Sequence, residues 1–306
     1  MRSFDSVVIG GGPAGMAAAL YLLRSGAKVA VVEKLSPGGQ VLMTEEIENY
    51  PGFPKGIKGY ELADLMAAHV DVYPHEKIGD EVREIKVGAK SHQILVGEEW
   101  IETKTIILCT GARYRKLGVP GEAAFLGKGV SYCALCDGNF FRDRVVAVVG
   151  GGNSALEEAL YLSRLVKKLY LIHRRDDFRG CKCYQDKCFT SSKMEVLRSS
   201  VIREIRGDTE VRSVLVENVK SGESREIPVE GVFVFVGFEP VIEYLPAEVA
   251  RDKRGVITDL EMRTNVPGIF AAGDIRSKNC RQVATAVGDG ATAATAAFAY
   301  LEQLDA

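Results

Sequence analysis

Cys133 and Cys136 stand two residues apart, and Asp137-Gly138 follows them directly. Two thiols at this spacing can close a small disulfide ring, and in a reducing compartment such a ring is redox-active rather than structural. Thiol–disulfide exchange runs through a thiolate and a mixed disulfide, so an acid–base group beside the pair is useful. Asp137 is the candidate proton donor and acceptor. Followed by Gly138, it also fits a plain turn-former.

Glycine-rich turns flank this pair in the sequence. In the first copy, Ser6–Ile9 is a short apolar run ending in glycine, the mark of a buried parallel strand. Gly10-Gly11-Gly12-Pro13-Ala14-Gly15 follows, then a helix ended by Gly26, then a strand running from Ala27 to Glu33. This is a βαβ unit with Gly-x-Gly-x-x-Gly at its first turn. Gly10 permits the tight turn, Gly12 lets the backbone approach a pyrophosphate, and Gly15 lets helix and strand pack closely. The pyrophosphate would lie on the helix N-terminus, and Glu33 would accept hydrogen bonds from the ribose hydroxyls of an adenosine.

The second copy has the strand Val145–Val149, the turn Gly150-x-Gly152-Asn153-Ser154-Ala155, a helix over 153–165 and a strand over 169–172. Glu33 lies 23 residues after Gly10; 23 residues after Gly150 stands His173, with Arg174, Arg175 and then Arg179. A carboxylate at that place repels a 2′-phosphate, whereas arginines recognise it. The first turn therefore suits FAD or NAD and the second suits NADP. His173 equally fits a capping or packing residue. Taken with the cysteine pair, the residues imply electrons passing from a nicotinamide, through a second nucleotide cofactor, to a disulfide.

The elements needed to hold these groups are legible as an α/β architecture. A strand ends in Thr110-Gly111, after which the chain leaves for the second unit. A strand over 231–240 closes that unit, and 268–274 returns one more strand ending in Gly273-Asp274, before a small-residue helix over about 287–301. The expected fold is two Rossmann-like three-layer nucleotide-binding domains, one inserted into the other: 1–114 with 244–306, and 115–243 carrying the cysteines. With 46% hydrophobic and 26% charged residues over 306 positions and a net charge of -2, the chain is an ordinary globular protein with no electrostatic pull toward nucleic acid or anionic membrane. No signal-peptide pattern precedes Val7, and 291–299 is too short to span a bilayer, so a cytoplasmic location is expected.

The chain resembles the low-molecular-weight thioredoxin reductases, the NADPH- and FAD-dependent type of pyridine nucleotide-disulfide oxidoreductase, along essentially its whole length. The resemblance rests on residues 10–15, Pro37-Gly38-Gly39-Gln40, Glu48-Asn49-Tyr50-Pro51-Gly52, residues 133–138, 150–155 and 173–179, Ala272-Gly273-Asp274 and Arg281-Gln282-Val283. It implies an FAD domain formed by both ends of the chain and an NADPH domain inserted into it. It implies FAD contacts from Gln40, Asn49, Asp274 and the Arg281–Ala284 segment, within a wider cofactor set that takes in Lys34, Gly39, Thr110, Gly111, Gly273, Gln282 and Val283. Cys136 would face the flavin and Cys133 would attack the disulfide of a thioredoxin or thioredoxin-like partner. The family implies a homodimer. It also implies a rotation of the inserted domain about two short hinges, because one arrangement cannot serve nicotinamide, flavin, disulfide and protein partner together.

Cys181, Cys183 and Cys188 depart from the family pattern. Cys181 and Cys188 are seven apart, on one face if helical. Semi-exposed thiols in a reducing cytosol are one reading, an accessory redox or metal role the other. A zinc site joining them to Cys133 and Cys136 is disfavoured by the intervening βαβ unit and the Cys-x-Cys spacing, and no metal is expected. Cys109 and Cys280 read as core or loop residues. Rival functions on the same architecture are a flavoprotein reducing a peroxiredoxin partner and a non-catalytic nucleotide sensor. A ferredoxin–NADP reductase would lack the cysteine pair.

Overall fold

The computed structural model describes residues 1–44 and 46–305. They form two compact units, Met1–Arg113 with Glu239–Ala306, and Tyr114–Phe238.

The first unit begins with β1 (Ser3–Ile9), followed by α1 (Pro13–Arg24) and β2 (Val29–Val32). The apolar run of β1 is explained by burial on both faces: Val7 and Ile9 enter one core with Ile94, Ile106 and Leu108, and Val8 enters another with Ala18, Ala19 and Leu22 of α1. Pro13 occupies the first helical turn, where its missing N–H costs nothing. The helix stops at Ser25, with Gly26 in the left-handed region (φ 85°) that a C′ residue adopts.

Next come α2 (Gly59–Asp71), β3 (Glu76–Ile78), β4 (Val82–Lys86), β5 (His92–Val96) and β6 (Glu99–Leu108). The sheet order is β3-β2-β1-β6-β5-β4. In β1 and β2 Ser6 faces Val29 and Ile9 faces Val32, and on the other side Ile9 faces Leu108 of β6.

The second unit contains β7 (Val130–Ser131), the single-turn α3 (Ala134–Asp137), β8 (Val145–Val149), α4 (Asn153–Ser163), β9 (Lys168–Ile172), α5 (Lys182–Phe189) and β10 (Met194–Leu197). The antiparallel strands β11 (Ser200–Gly207), β12 (Val211–Asn218) and β13 (Ser224–Pro228) follow, then β14 (Gly231–Val234). The main sheet is parallel in the order β7-β14-β8-β9-β10. One face carries α4 through Leu156, Ala159 and Leu162, against Val146, Val148 and Phe233. The other face carries the antiparallel strands through Ile202, Val214, Val216 and Ile227, against Ala147, Val149 and Val232.

The chain then returns to the first unit with β15 (Ile269–Ala271) and α6 (Val283–Asp305). The ten-residue β6 divides one edge between two partners. Its first half takes the antiparallel β5, and Ile106–Leu108 take β15 in parallel. Helix α6 packs on α1, and its small residues make that possible: a Cβ on Gly290 would lie 2.2 Å from the Ala14 carbonyl oxygen.

The expected strand over 231–240 is interrupted after Val234, where Gly237 turns the backbone to a positive φ of 119°, and resumes at Phe238–Pro240. The unit boundary at 238/239 follows from Ile242, which packs against the first unit's core, and from Thr110, whose hydroxyl donates to the Val241 carbonyl at 2.9 Å.

Candidate active site

Cys133 and Cys136 are joined in a disulfide across α3, their Cα atoms 5.3 Å apart. Cys133 is the N-cap of this turn, and its sulfur accepts the Cys136 backbone N–H at 3.1 Å. Ser131, at the end of β7, organises the motif. Its hydroxyl accepts the Cys133 N–H at 3.1 Å and donates to Asp137 Oδ2 at 2.5 Å. The carboxylate that follows Cys136 is thereby held by the residue that also fixes the backbone of Cys133. Both cysteines are half-buried, and Leu135 and Phe140 beside them are exposed.

Two further acids surround this motif. Glu122 is buried and accepts from the Leu117 and Gly118 N–H groups at 2.8 and 2.7 Å and from the Tyr132 hydroxyl at 2.8 Å. Burial, then the hydrogen bond to Glu122, pushes the Tyr132 phenol up. Glu158 of α4 lies beside the Ala134 backbone of α3, which favours its charged form. Among the described residues its Oε2 is buried with no hydrogen-bond partner. Burial and the neighbouring Glu157 charge push its carboxyl up to about 7.

At the first glycine turn each glycine meets a different demand. Gly10 has φ 108°, and a Cβ there would lie 2.4 Å from the Cys109 carbonyl oxygen; one on Gly15 would lie 1.8 Å from the Gly10 carbonyl oxygen. A Cβ on Gly12 meets nothing within 4 Å, so this is the position open to a ligand. Glu33 accepts from the Gly11 N–H at 2.8 Å and, through its other oxygen, from the Leu35 N–H at 3.0 Å. Gly39 and Gly273 close on the same turn, since Cβ atoms built on them would lie 3.4 Å from the Gly12 Cα and 2.8 Å from the Ala14 Cβ. Asp274 follows, half-buried, with its buried Oδ1 lacking a hydrogen-bond partner among the described residues. Burial pushes its carboxyl up. A ligand hydroxyl supplies the donor that this oxygen needs. The cradle at Gly12 and this orphaned oxygen fit a bound dinucleotide.

Other candidates of the first unit pair among themselves. Asn49 donates to Gln282 at 3.0 Å, Gln40 donates to the Ala112 carbonyl, and Thr110 lies 3.0 Å from the Tyr244 hydroxyl. Gly111 has φ 69° with open space where a Cβ would be. Lys34 points elsewhere, to Glu81 at 3.0 Å. Arg281 holds the loop around it, donating to the Lys278 carbonyl at 2.8 Å and the Arg254 carbonyl at 3.0 Å, and Val283 begins α6.

The second turn repeats the layout. Gly150 has φ 153° and Ala155 sits against it, a Gly150 Cβ falling 2.6 Å from the Ala155 Cβ, while Gly152 has open space. Asn153 and Ser154 are exposed at the start of α4. Arg174, Arg175 and Arg179 are exposed together on the loop after β9, which is pinned to the turn by Arg179 N–H donating to the Gly151 carbonyl at 2.8 Å. The His173 ring is buried between the turn and Phe178, its Nε2 3.2 Å from the Asp177 carbonyl oxygen and its centroid 4.6 Å from that of Phe178. Burial, then the nearby arginine charges, lowers its pKa. The structure thus gives His173 a packing place and leaves the arginines at the surface.

The residues 4–290 match the family model of the pyridine nucleotide-disulphide oxidoreductases. The chain belongs to this family. It is 42% identical over 302 residues to the thioredoxin reductase of Treponema pallidum, covering 98% of each chain. It is 42% identical over 305 residues to that of Listeria innocua, covering 99% of this chain and 95% of the relative. The crystal structure of thioredoxin reductase from Streptococcus pyogenes superposes with a TM-score of 0.94 at 46% identity, with 99% of both chains covered. Within this family architecture, Ser131, Glu122, Glu158 and Asp289 escaped the reading of motifs. Asp289 bridges Arg276 at 2.9 Å and Lys278 at 2.7 Å, all of them largely buried, and accepts the Gly273 N–H at 3.1 Å. A signal existed for two of them: Asp289 is the one acid amid the small residues of 283–301, and Glu158 borders the apolar stripe of Ala155, Ala159 and Leu162.

Proposed function

We propose that this chain is a thioredoxin-disulfide reductase that draws electrons from NADPH through FAD and delivers them by way of Cys133 and Cys136. The observation that carries the reading is the Cys133–Cys136 disulfide in a one-turn helix with Asp137 tied to it through Ser131. The likeness to thioredoxin reductases over nearly the full length supports it.

In this reading the first unit holds FAD, with Gly10, Gly12, Gly15 and Gly39 beside the pyrophosphate, Glu33 toward the adenosine ribose and Asp274 toward a hydroxyl of the cofactor. The second unit holds NADPH, with Gly150, Gly152, Asn153, Ser154 and Ala155 at the pyrophosphate and Arg174, Arg175 and Arg179 at the 2′-phosphate. FAD, when bound, accepts hydride from NADPH and supplies the electron pair that opens the disulfide. Opening it leaves two sulfurs that need protons, and Asp137 is placed to hold or release one at Cys136. Cys133, the N-terminal sulfur, attacks the disulfide of the partner, forming a mixed disulfide that Cys136 resolves. Cys133 and Cys136 emerge oxidised again and the partner leaves as a dithiol.

Anaerobic titration tests this. NADPH is expected to bleach the flavin of the holoprotein, NADH to do so poorly, and oxidised thioredoxin to restore the yellow colour. Failure of NADPH to bleach it sinks the cofactor reading. Bleaching without transfer to any thioredoxin-like protein sinks the substrate reading alone.

A further inference from the structure

Neither nucleotide turn nor the Cys133–Cys136 pair uses Cys181, Cys183 or Cys188, and the structure separates the three. Cys188 is buried against α4, its sulfur 3.7 Å from the Leu156 carbonyl oxygen, and burial pushes its thiol up to about 11. It therefore shares no face with Cys181. Cys181 and Cys183 are exposed, and their sulfurs lie only 2.9 Å apart.

Residues two apart inside a helix point away from each other. Here Cys181 is the N-cap of α5, with an extended ψ of 138°, so its side chain turns back over the first helical turn, where Cys183 sits. The Cys183 thiol, followed by the N–H groups of Cys183 and Tyr184, holds Cys181 below the ordinary thiol range, and the same contact raises Cys183. Lower thiols near helix N-termini react first, and a higher neighbouring thiol is suited to resolve the product.

We propose that Cys181 and Cys183 form a second dithiol–disulfide couple, oxidised at the surface by hydrogen peroxide or an organic hydroperoxide. The Cys181 sulfur attacks one peroxide oxygen, the O–O bond breaks, and the other oxygen leaves with the thiol's proton as water or an alcohol. This gives a sulfenic acid on Cys181. The Cys183 sulfur attacks it, an S–S bond forms, and the S–O bond breaks to release water with the second thiol's proton. Two thiols lose two electrons and the peroxide gains them.

This couple is wired to the second glycine turn. The Cys181 N–H donates to the Asn153 side-chain oxygen at 2.7 Å, and the Arg179 and Gly180 N–H groups donate to the Gly151 carbonyl at 2.8 and 3.1 Å. Bond formation draws Cys181 toward α5 and away from Asn153, loosening the segment that carries Arg179. Oxidation then weakens binding of a 2′-phosphorylated nucleotide. This consequence rests on the reading of the arginines as a 2′-phosphate site; the couple itself does not.

The test treats the holoprotein with one equivalent of hydrogen peroxide, alkylates remaining thiols and digests with trypsin, which cleaves after Lys182. The expected product joins the Gly180–Lys182 and Cys183–Lys187 peptides, or is a cyclic Gly180–Lys187 peptide, and is reversed by dithiothreitol. In C183S, Cys181 should stop at a sulfenic acid that dimedone traps. Recovery of both cysteines alkylated, or overoxidised without a linked product, overturns the couple. In parallel, 2′,5′-ADP binding is measured by calorimetry on both forms. Oxidation should weaken it about tenfold in the unmodified chain and leave C183S unchanged. A linked pair with unaltered affinity overturns the wiring to the turn. Weak binding already in the reduced chain counts against the NADP reading and not against the couple.

Discussion

Asp137 and Glu158 are both carboxyls at the redox helix, yet their surroundings fit them for different work. Asp137 is held by the Ser131 hydroxyl directly after Cys136, a position for moving a proton. Asp137→Asn should therefore slow thioredoxin reduction on the order of 100-fold while leaving NADPH-dependent bleaching of the flavin intact, as stopped-flow and steady-state assays would reveal. Equal loss in both steps would remove Asp137 from the exchange chemistry. Glu158 has one oxygen without a partner among the described residues, and its carboxyl sits at about 7, above the ordinary value of 4.5. The folded chain thus binds this proton more tightly than the unfolded chain. The resulting stability is fully present below pH 4.5 and is lost as pH rises through about 7. Glu158→Gln should be more stable than the parent at pH 8, by about 1–2 kcal/mol after allowance for partial exposure, and nearly equal to it at pH 5. Thermal denaturation at the two pH values decides it, and an unchanged difference between them would rule Glu158 out as the cause.

At the scale of elements, the strands and glycine turns of both units were legible because their pattern is local. An apolar run, a glycine turn, a helix and an acid or arginine at the next strand end all lie within one stretch of chain. What escaped were features made by long-range packing. The edge of β6 shared between β5 and β15 joins segments more than a hundred residues apart. The full extent of α6, Val283–Asp305 rather than about 287–301, brings in Val283, which packs against the distant cluster of Val41, Ile47 and Leu62 that no periodicity announces. The small residues of α6 were visible, but not that they let it approach the N-terminal turn of α1. That approach is testable. Gly290→Ala forces a Cβ to within 2.2 Å of the Ala14 carbonyl, so the two helices must part. A loss of about 1–3 kcal/mol in unfolding free energy is expected. Because Ala14 belongs to the first glycine turn, flavin should also be retained less well through gel filtration. A variant of parental stability and flavin content would show that the contact is not limiting.

For the whole molecule, the division into two units was readable from the repeated glycine turns, and Glu33 against Arg174, Arg175 and Arg179 at equivalent strand ends set the two apart. The boundaries were less so, since residues 239–243 carry no composition signal and join the first unit through Thr110 and through the packing of Ile242. In the proposed reading, this contrast gives the phosphorylated dinucleotide to the unit that carries the cysteines, and with it the direction of electron flow. In the first unit Glu33 is already committed to two backbone N–H groups and would set its charge against a 2′-phosphate. In the second, the arginines are exposed, and His173, whose pKa is lowered, stands at the place equivalent to Glu33 and is packed beneath the turn. A charge-assisted contact to phosphate contributes about 1.5–3 kcal/mol. Removing two of them in R174A/R175A should raise KM for NADPH at least about 100-fold. NADH has no 2′-phosphate to lose, so its KM should stay where it was, and the flavin content, set by the other unit, should match the parent. Steady-state assays with both nucleotides separate the outcomes: parallel weakening of NADPH and NADH would mean that the arginines support the loop rather than read the phosphate, and an unchanged preference for NADPH would place its 2′-phosphate elsewhere.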